Sequence, residues 1–451
     1  MTSRREELLE RCLARGARLY EGNFAKIYTH GLSPGCLSCA RGEWSYLEVS
    51  QLCQKSCFYC PRPYTKPGRP FERMLGLSFD SPEAYAQAVR EFGFRGVGLS
   101  GGEPLLAMDR TLGFLRALRR SGGDGVYLWA YTNGERADET RLRQLRDAGL
   151  NELRFDISAS DYDLTAVRRA IRILPKVAVE IPAIPEDLEK LKSLLGRLVN
   201  EGVSHLNLHQ LTGTPFNCEA FRRRGYTVVE NGPMVSPSVV ESEMAALSLI
   251  DFALAEGIRL PINYCSFIYK HRFHGRIRRS RLAGYFNSGG PLETVTEPGW
   301  LRKLLVAGKP ATLAALARRI PGGRSRFVDH KGKPRLIIAP EILGSAVLRG
   351  RAVAAAYFEY EQVPSGFGGR KGLRLGLPIE AEVRYRETCK AEMPLRGQSE
   401  RACFARWFGP SPSASASGWT QARRTDFRAR FKGYEFLTAD RHSYLGGATS
   451  Q

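Results

Sequence analysis

Between residues 46 and 265 the chain alternates short apolar runs of strand type with longer stretches of helical period. The predicted strands are 46–50, 96–100, 127–132, 152–158, 177–182 and 205–211, with 258–263 as a seventh. The helices between them carry their own punctuation. Ser81 and Pro82 open one, as N-cap and first-turn residue. A second, 138–148, stops at Gly149, and a third, 186–200, stops at Gly202. From the second strand onward the repeat is roughly 25–30 residues, about one βα unit. Such alternation predicts a parallel sheet with right-handed crossovers. The fold class is therefore α/β, a partial (βα)6 TIM-like barrel with its active site at the C-terminal ends of the strands.

The polar phase of the strands agrees with this. Asn207 and His209 share one face, Leu206 and Leu208 the other. Arg154, Asp156 and Ser158 alternate with Leu153, Phe155 and Ile157, and Glu180 is the lone polar residue of 177–182. Polar residues late in barrel strands read as ligand-binding, a solvated strand face being the plainer alternative. After Gly289-Gly290 the pattern changes. A helix at 311–319 and short strands such as 335–338 predict a small α+β appendage, and 410–417 is low-complexity. The predicted order is an N-terminal extension (1–45), the barrel (46–290), the appendage (291–385) and a basic tail (386–451).

Composition sharpens the picture. Hydrophobic residues make up 43% of the 451, enough for a substantial core, which excludes wholesale disorder. No apolar run reaches the roughly 20 residues of a membrane span. The N-terminus lacks an apolar signal segment, so the expected location is cytoplasmic. The 10 cysteines then read as metal ligands or thiols rather than disulfides. The net charge of +21 is uneven: residues 1–270 carry 35 basic and 32 acidic groups, residues 271–451 carry 32 and 14. The densest basic run is 271–281. Such a field suits an anionic partner, nucleic acid included.

The chemistry is concentrated after the first strand, in Cys53-Gln-Lys-Ser-Cys57-Phe-Tyr-Cys60. Three thiolates this close can wrap one face of an iron–sulfur cluster and leave one iron open. A zinc knuckle with a distant fourth ligand is the competing reading. The second strand ends in Gly101-Gly102-Glu103-Pro104, where glycines allow close backbone approach and the carboxylate can meet an ammonium group.

Together these motifs resemble the radical SAM superfamily over roughly residues 46–211. The resemblance implies a [4Fe-4S] cluster on Cys53, Cys57 and Cys60, with S-adenosylmethionine on the open iron. It implies Tyr59 near adenine and Gly101, Gly102 and Glu103 at the SAM amino group. Thr132, Ser158, Glu180 and His209 would line the rest of the SAM site. The implied chemistry is reductive SAM cleavage to a 5′-deoxyadenosyl radical that abstracts hydrogen from an unidentified, anionic or macromolecular substrate. A reducing partner such as flavodoxin or ferredoxin is implied as well.

Cys36 and Cys39 lie just upstream, and Cys265 follows the seventh strand. They could hold a second iron–sulfur cluster, with Cys218 or substrate as a fourth ligand. A zinc site and unrelated thiols are the alternatives. This arrangement looks like a little-characterised subgroup related to pyruvate formate-lyase activating enzymes. Cys12, Cys389 and Cys403 lack partners at metal spacing. The sequence has no Asp-x-His-x-x-Gly cobalamin signature, no multi-cysteine C-terminal extension and no Walker A motif. Two other functional readings stand beside the main one: RNA modification by the same chemistry, and a non-catalytic zinc-stabilised RNA-binding protein.

Overall fold

The computed structural model describes residues 2–395, except 22, 63, 67, 80, 230–236, 288–289, 297–298, 364–372 and 375–383, together with Arg401. It divides into two compact units, the first running to Gly275 and the second beginning at Arg276. The expected boundary near residue 290 thus moves upstream, into a helix.

The first unit opens with α1 (Thr2–Ala14), β1 (Arg18–Tyr20), β2 (Asn23–Tyr28) and α2 (Pro34–Ala40). Next come β3 (Trp44–Ser50), β4 (Phe71–Glu72), β5 (Leu77–Ser78), α3 (Pro82–Glu91), β6 (Gly96–Gly101), α4 (Met108–Gly122) and β7 (Tyr127–Thr132). After α5 (Glu139–Asp147) follow β8 (Glu152–Phe155), α6 (Thr165–Ile171), β9 (Val177–Pro182), α7 (Leu188–Glu201) and β10 (Leu206–His209). The unit closes with α8 (Cys218–Arg223), β11 (Val228–Val229), β12 (Ser238–Val239), α9 (Val240–Ala255), β13 (Ile262–Cys265) and the start of α10 (Phe267–Phe286). The predicted punctuation at Ser81 and Gly202 works: Ser81 accepts from Ala84 N, and Gly202 ends α7 in the left-handed region at φ 88°; Asp138, read as the first helical residue, is instead the N-cap of α5 and accepts from Arg141 N.

Seven strands, β3, β6, β7, β8, β9, β10 and β13, run parallel in that spatial order. Antiparallel β4–β5 extends one edge and β2–β1 the other, so the sheet stays open. Residues 1–45 are therefore built into the sheet, with Tyr28 paired to Asn263. One face is apolar: Leu99, Leu128, Leu153, Val179 and Leu208 are fully buried, as in parallel sheets covered by helices. The other face is polar. It curls around α2, because Gly35 lies against Trp129 and Arg154 while Cys36 contacts Asn207 and Asn263 on the far strands. Gly35 has no room for a Cβ, since the Arg154 guanidinium would meet it at 2.5 Å.

The second unit holds β14 (Thr294–Val295), β15 (Leu301–Ala307), α11 (Pro310–Arg319), β16 (Ser325–His330), β17 (Lys333–Ile338), β18 (Ala352–Gln362), β19 (Leu373–Arg374) and β20 (Arg384–Leu395). They form one antiparallel sheet in the order β16-β17-β15-β18-β20-β19, with β14 beside β15. Its core joins Leu313 and Leu316 of α11 to Leu304, Val306, Leu336, Ile338 and Tyr357. The sequence reading began a tail at residue 386, yet β20 is a 12-residue strand. Its polar side chains hid it: Lys390 pairs with Glu359 and Glu361, and Glu387 with Lys303. The low-complexity segment 410–417 lies outside the described residues, as does Cys403.

Candidate active site

The loop after β3 carries Cys53, Cys57 and Cys60, all partly exposed. A turn joins Cys60 N–H to the Cys57 carbonyl at 3.0 Å. Lys55 N–H points at Cys53 Sγ, 3.4 Å away, and Asn133 Nδ2 at the same sulfur, 3.8 Å away. Burial raises all three thiols above their ordinary value. Among the described residues no three His, Cys, Asp or Glu side chains stand close enough to share a metal ion as they are placed.

The turn after β6 packs directly on this loop. Gly101 is at φ 115°, and a Cβ on it would strike the Ser50 carbonyl; one on Gly102 would strike Leu52. Gly102 and Glu103 N–H donate to the carbonyls of Ser50 and Leu52, both 2.8 Å away. The two glycines thus serve the close approach of two backbone segments. Glu103 lies deeper than the sequence suggested, 1% exposed. Its carboxylate accepts from Leu105 N (3.0 Å), Thr132 Oγ1 (2.9 Å) and Asn133 N (2.8 Å). Burial pushes its pKa up to about 7 against these hydrogen bonds. Glu103 and Thr132 therefore tie the end of β7 to the glycine turn.

Tyr59 reaches across to β8. Its hydroxyl lies 2.9 Å from Asp156 Oδ2 and 2.8 Å from Ser158 Oγ, and Ser158 donates to Asp156 at 2.5 Å. The predicted strand stops at Phe155, and Ile157–Ser160 form a short 3-10 turn that aims both side chains at the loop. On the outer side Asn217 Nδ2 donates to Tyr59 O (3.1 Å) and Thr214 Oγ1 to Pro61 O (3.0 Å). Phe58 and Tyr59 pack against the apolar patch of Leu211, Phe221 and Val239.

The remaining predicted residues lie on the polar face of the sheet, in one hydrogen-bonded layer. Arg154 is 3% exposed and binds Glu152 and Glu180, each at 2.7 Å, and the Ser33 hydroxyl at 2.9 Å. Ser33 also caps α2 by accepting from Cys36 N. Glu180 accepts from Asn207 at 3.0 Å and contacts His209 Nε2. Burial opposes its ionisation, but Arg154 and His209 outweigh it and hold the carboxyl well below its usual range. His209 Nδ1 faces Lys270 Nζ, the pattern of a neutral ring protonated on Nε2. Glu180 and His209 are thus engaged inside the layer.

The layer continues to the other three cysteines. Asn263 Nδ2 donates to Asn207 Oδ1 (3.0 Å) and lies 3.6 Å from Cys36 Sγ and 3.5 Å from Cys265 Sγ. Lys26 Nζ donates to Asn263 Oδ1 (3.0 Å) and lies 3.4 Å from Cys265 Sγ. Burial pushes the Cys39 thiol up to about 12, where Lys26, Cys265 and Cys36 also act on it. Cys218 does not join them; it is exposed and contacts the Pro215 carbonyl. Sequence reasoning named neither Lys26 nor Asn263. Lys26, the only charge in β2, was the available signal.

Residues 47–181 match the model of the Radical SAM superfamily. The chain carries a radical SAM domain. The family of this domain binds a [4Fe-4S] cluster and S-adenosylmethionine. A Methanocaldococcus jannaschii protein named as a glycyl-radical enzyme activating enzyme is 28% identical over 291 residues, 62% of this chain and 74% of that protein. Among solved structures, Streptococcus suis SuiB bound to precursor peptide SuiA aligns over 49% of each chain, with 11% identity and a TM-score of 0.35. The chain therefore spans about half the length of SuiB. The structure of anSMEcpe with bound AdoMet and a Cp18Cys peptide aligns over 56% of this chain and 71% of its own, with 16% identity and a TM-score of 0.34. No helix among the described residues is long and apolar enough to cross a membrane.

Proposed function

We propose that this radical SAM enzyme binds its cluster through Cys53, Cys57 and Cys60 and abstracts a hydrogen atom from a partner protein. The donor set fits the group. Three soft thiols lie in one loop, all partly exposed. When bound, the cluster supplies one electron to the SAM sulfonium, whose C–S bond breaks to methionine and a 5′-deoxyadenosyl radical that takes hydrogen from substrate.

The chain's own residues seat and screen that chemistry. Gly101 and Gly102 form the turn against which the cofactor's methionyl end would rest. Tyr59, fixed by Asp156 and Ser158, offers its ring beside Cys60 for adenine. Glu103 and Thr132 hold the floor, and Phe58 with Phe221 keeps water from the outer side of the loop. Glu180 and His209 contribute as supports of the buried layer. A second iron–sulfur cluster at Cys36, Cys39 and Cys265 belongs to the same reading.

The substrate class rests on the 28% identical relative, named for activating a glycyl-radical enzyme. A protein substrate, with a backbone glycine as hydrogen donor, follows from that likeness. Part of the basic run that favoured RNA is spent within the second unit: Arg278 pairs with Glu359, and Arg279 is buried over Trp300. The same reading sets aside the non-catalytic zinc alternative. The test is 5′-deoxyadenosine formation under a low-potential reductant. The native enzyme should release it and Cys57→Ala should not; equal release by both would refute the assignment. Stimulation of turnover by cell extract should vanish after protease digestion and survive ribonuclease. The reverse would make RNA the substrate.

A further inference from the structure

Cys36, Cys39 and Cys265 share a hydrogen-bonded layer with three cations, Arg154, Lys26 and Lys270. Two carboxylates, Glu152 and Glu180, are held in the layer by Arg154. Two more cations enter the same layer. Lys26 is 1% exposed, and the Asn263 amide, the Cys265 thiol and the Tyr269 ring lie around its ammonium group. Lys270 faces the neutral His209. Among the described residues neither lysine forms an ion pair with a carboxylate. The cation without a carboxylate partner therefore stands beside the cysteines, Lys26 Nζ lying 3.4 Å from Cys265 Sγ.

We infer that Cys36, Cys39 and Cys265 hold a second, three-thiolate iron–sulfur cluster inside the sheet, and that Lys26 is the residue that matches its charge. The inference rests on the radical SAM reading and deepens it. Three thiolates around a cluster core of charge +2 carry one net negative charge, which Lys26, 3.4 Å from Cys265 Sγ, would face. Asn263 Nδ2, shared between Cys36 and Cys265, supplies the kind of N–H donor to sulfur that tunes such clusters. A structural zinc would ask for four protein ligands. Cys218 lies elsewhere, and both nitrogens of His209 are engaged. The cysteines come from α2 and β13, two regular elements docked by Arg154 and Gly35, so the site is held without its metal. Lys26 acts here as a positioning and charge-matching residue and touches no substrate.

The test counts iron, acid-labile sulfide and zinc in the full chain after anaerobic reconstitution, with no SAM present. The native protein should hold about eight irons, and a Cys53→Ala/Cys57→Ala/Cys60→Ala variant about four. Adding Cys36→Ala and Cys265→Ala should remove those four. A triplet variant with no iron, or with one zinc in its place, overturns the second cluster. Lys26→Met in the triplet background should lose the remaining iron or move its midpoint potential downward, whereas Lys26→Arg should keep both. Unchanged iron and potential in Lys26→Met would overturn the charge-matching role. If Lys26→Met fails to fold, Lys270→Met reads the same charge from α10. A failure of the radical SAM reading would show separately, as SAM cleavage that survives loss of Cys57.

Discussion

Cys53, Cys57 and Cys60 lie within eight residues of one loop, partly exposed, with backbone N–H groups and aromatic rings as neighbours. Cys36, Cys39 and Cys265 come from opposite ends of the first unit, on a helix and a strand, among asparagines and lysines. The first set keeps one side open, as binding and turning over a small cofactor requires. The second has Cys36 buried and Cys39 and Cys265 partly exposed, and its surroundings are set by long-range hydrogen bonds and the Lys26 charge. One sheet thus offers thiols in two ways: its strand ends carry a loop whose cysteines are neighbours in sequence, and its polar face carries a layer that gathers cysteines from a helix and a strand. The difference teaches where to look for function in such a fold, because the second site is made almost wholly of residues distant in sequence.

The sharpest way to break the comparison is Arg154→Met. It strips Glu152 and Glu180 of their cation and α2 of its anchor at Ser33. Removing one partner from a buried ionic network costs about 3–5 kcal/mol, so thermal unfolding of the metal-free protein should show a large drop in midpoint. A drop no larger than that of a surface arginine would mean the layer does not organise the interior cysteines.

Glu103→Gln probes the floor of the loop site and should cost roughly 1–3 kcal/mol, because an amide nitrogen must face a backbone or hydroxyl donor. Its pH dependence has a definite sign. Burial raises this carboxyl to about 7 from its ordinary 4.5, so the fold prefers the protonated form. The stability it contributes is complete below about 4.5 and lost as pH rises through about 7. Glu103→Gln lacks that slope, and the gap between native and variant should narrow over this range. A gap that widens would place the carboxylate in a charge-stabilised site instead.

Tyr59→Phe should have the smallest effect. It removes the contacts to Asp156 and Ser158, roughly 0.5–1.5 kcal/mol for such a group. SAM should bind up to about tenfold more weakly by calorimetry, with iron content unchanged. Loss of iron would show that the hydroxyl holds the cluster loop rather than orienting the ring.

Much of this architecture was legible in the sequence. The strands 127–132 and 177–182 and the caps at Ser81 and Gly202 follow from local pattern. The loop triplet and the glycine turn are local too, so their spacing carried the reading. What escaped is non-local. Ser33-Pro34 carries the same start signal as Ser81-Pro82, but its sequence does not place that helix inside the curve of the sheet; its place follows from Arg154 reaching Ser33 across 121 residues of chain. Glu180 and His209 were read as ligand-facing because strand phase puts them on the polar side. Phase does not reveal that Arg154, Asn207 and Lys270 already occupy them. The polar strand Arg384–Leu395 escaped because its ion pairs, not an apolar face, mark it.

The most direct test of the account is electron paramagnetic resonance of the reduced protein with and without S-adenosylmethionine. The account predicts that SAM shifts the cluster signal of the native enzyme, since it binds the iron that Cys53, Cys57 and Cys60 leave open. It predicts no such shift once those three cysteines are replaced, whatever iron remains at the interior set. A native signal indifferent to SAM, or a SAM-dependent shift that persists in the triplet variant, would contradict it.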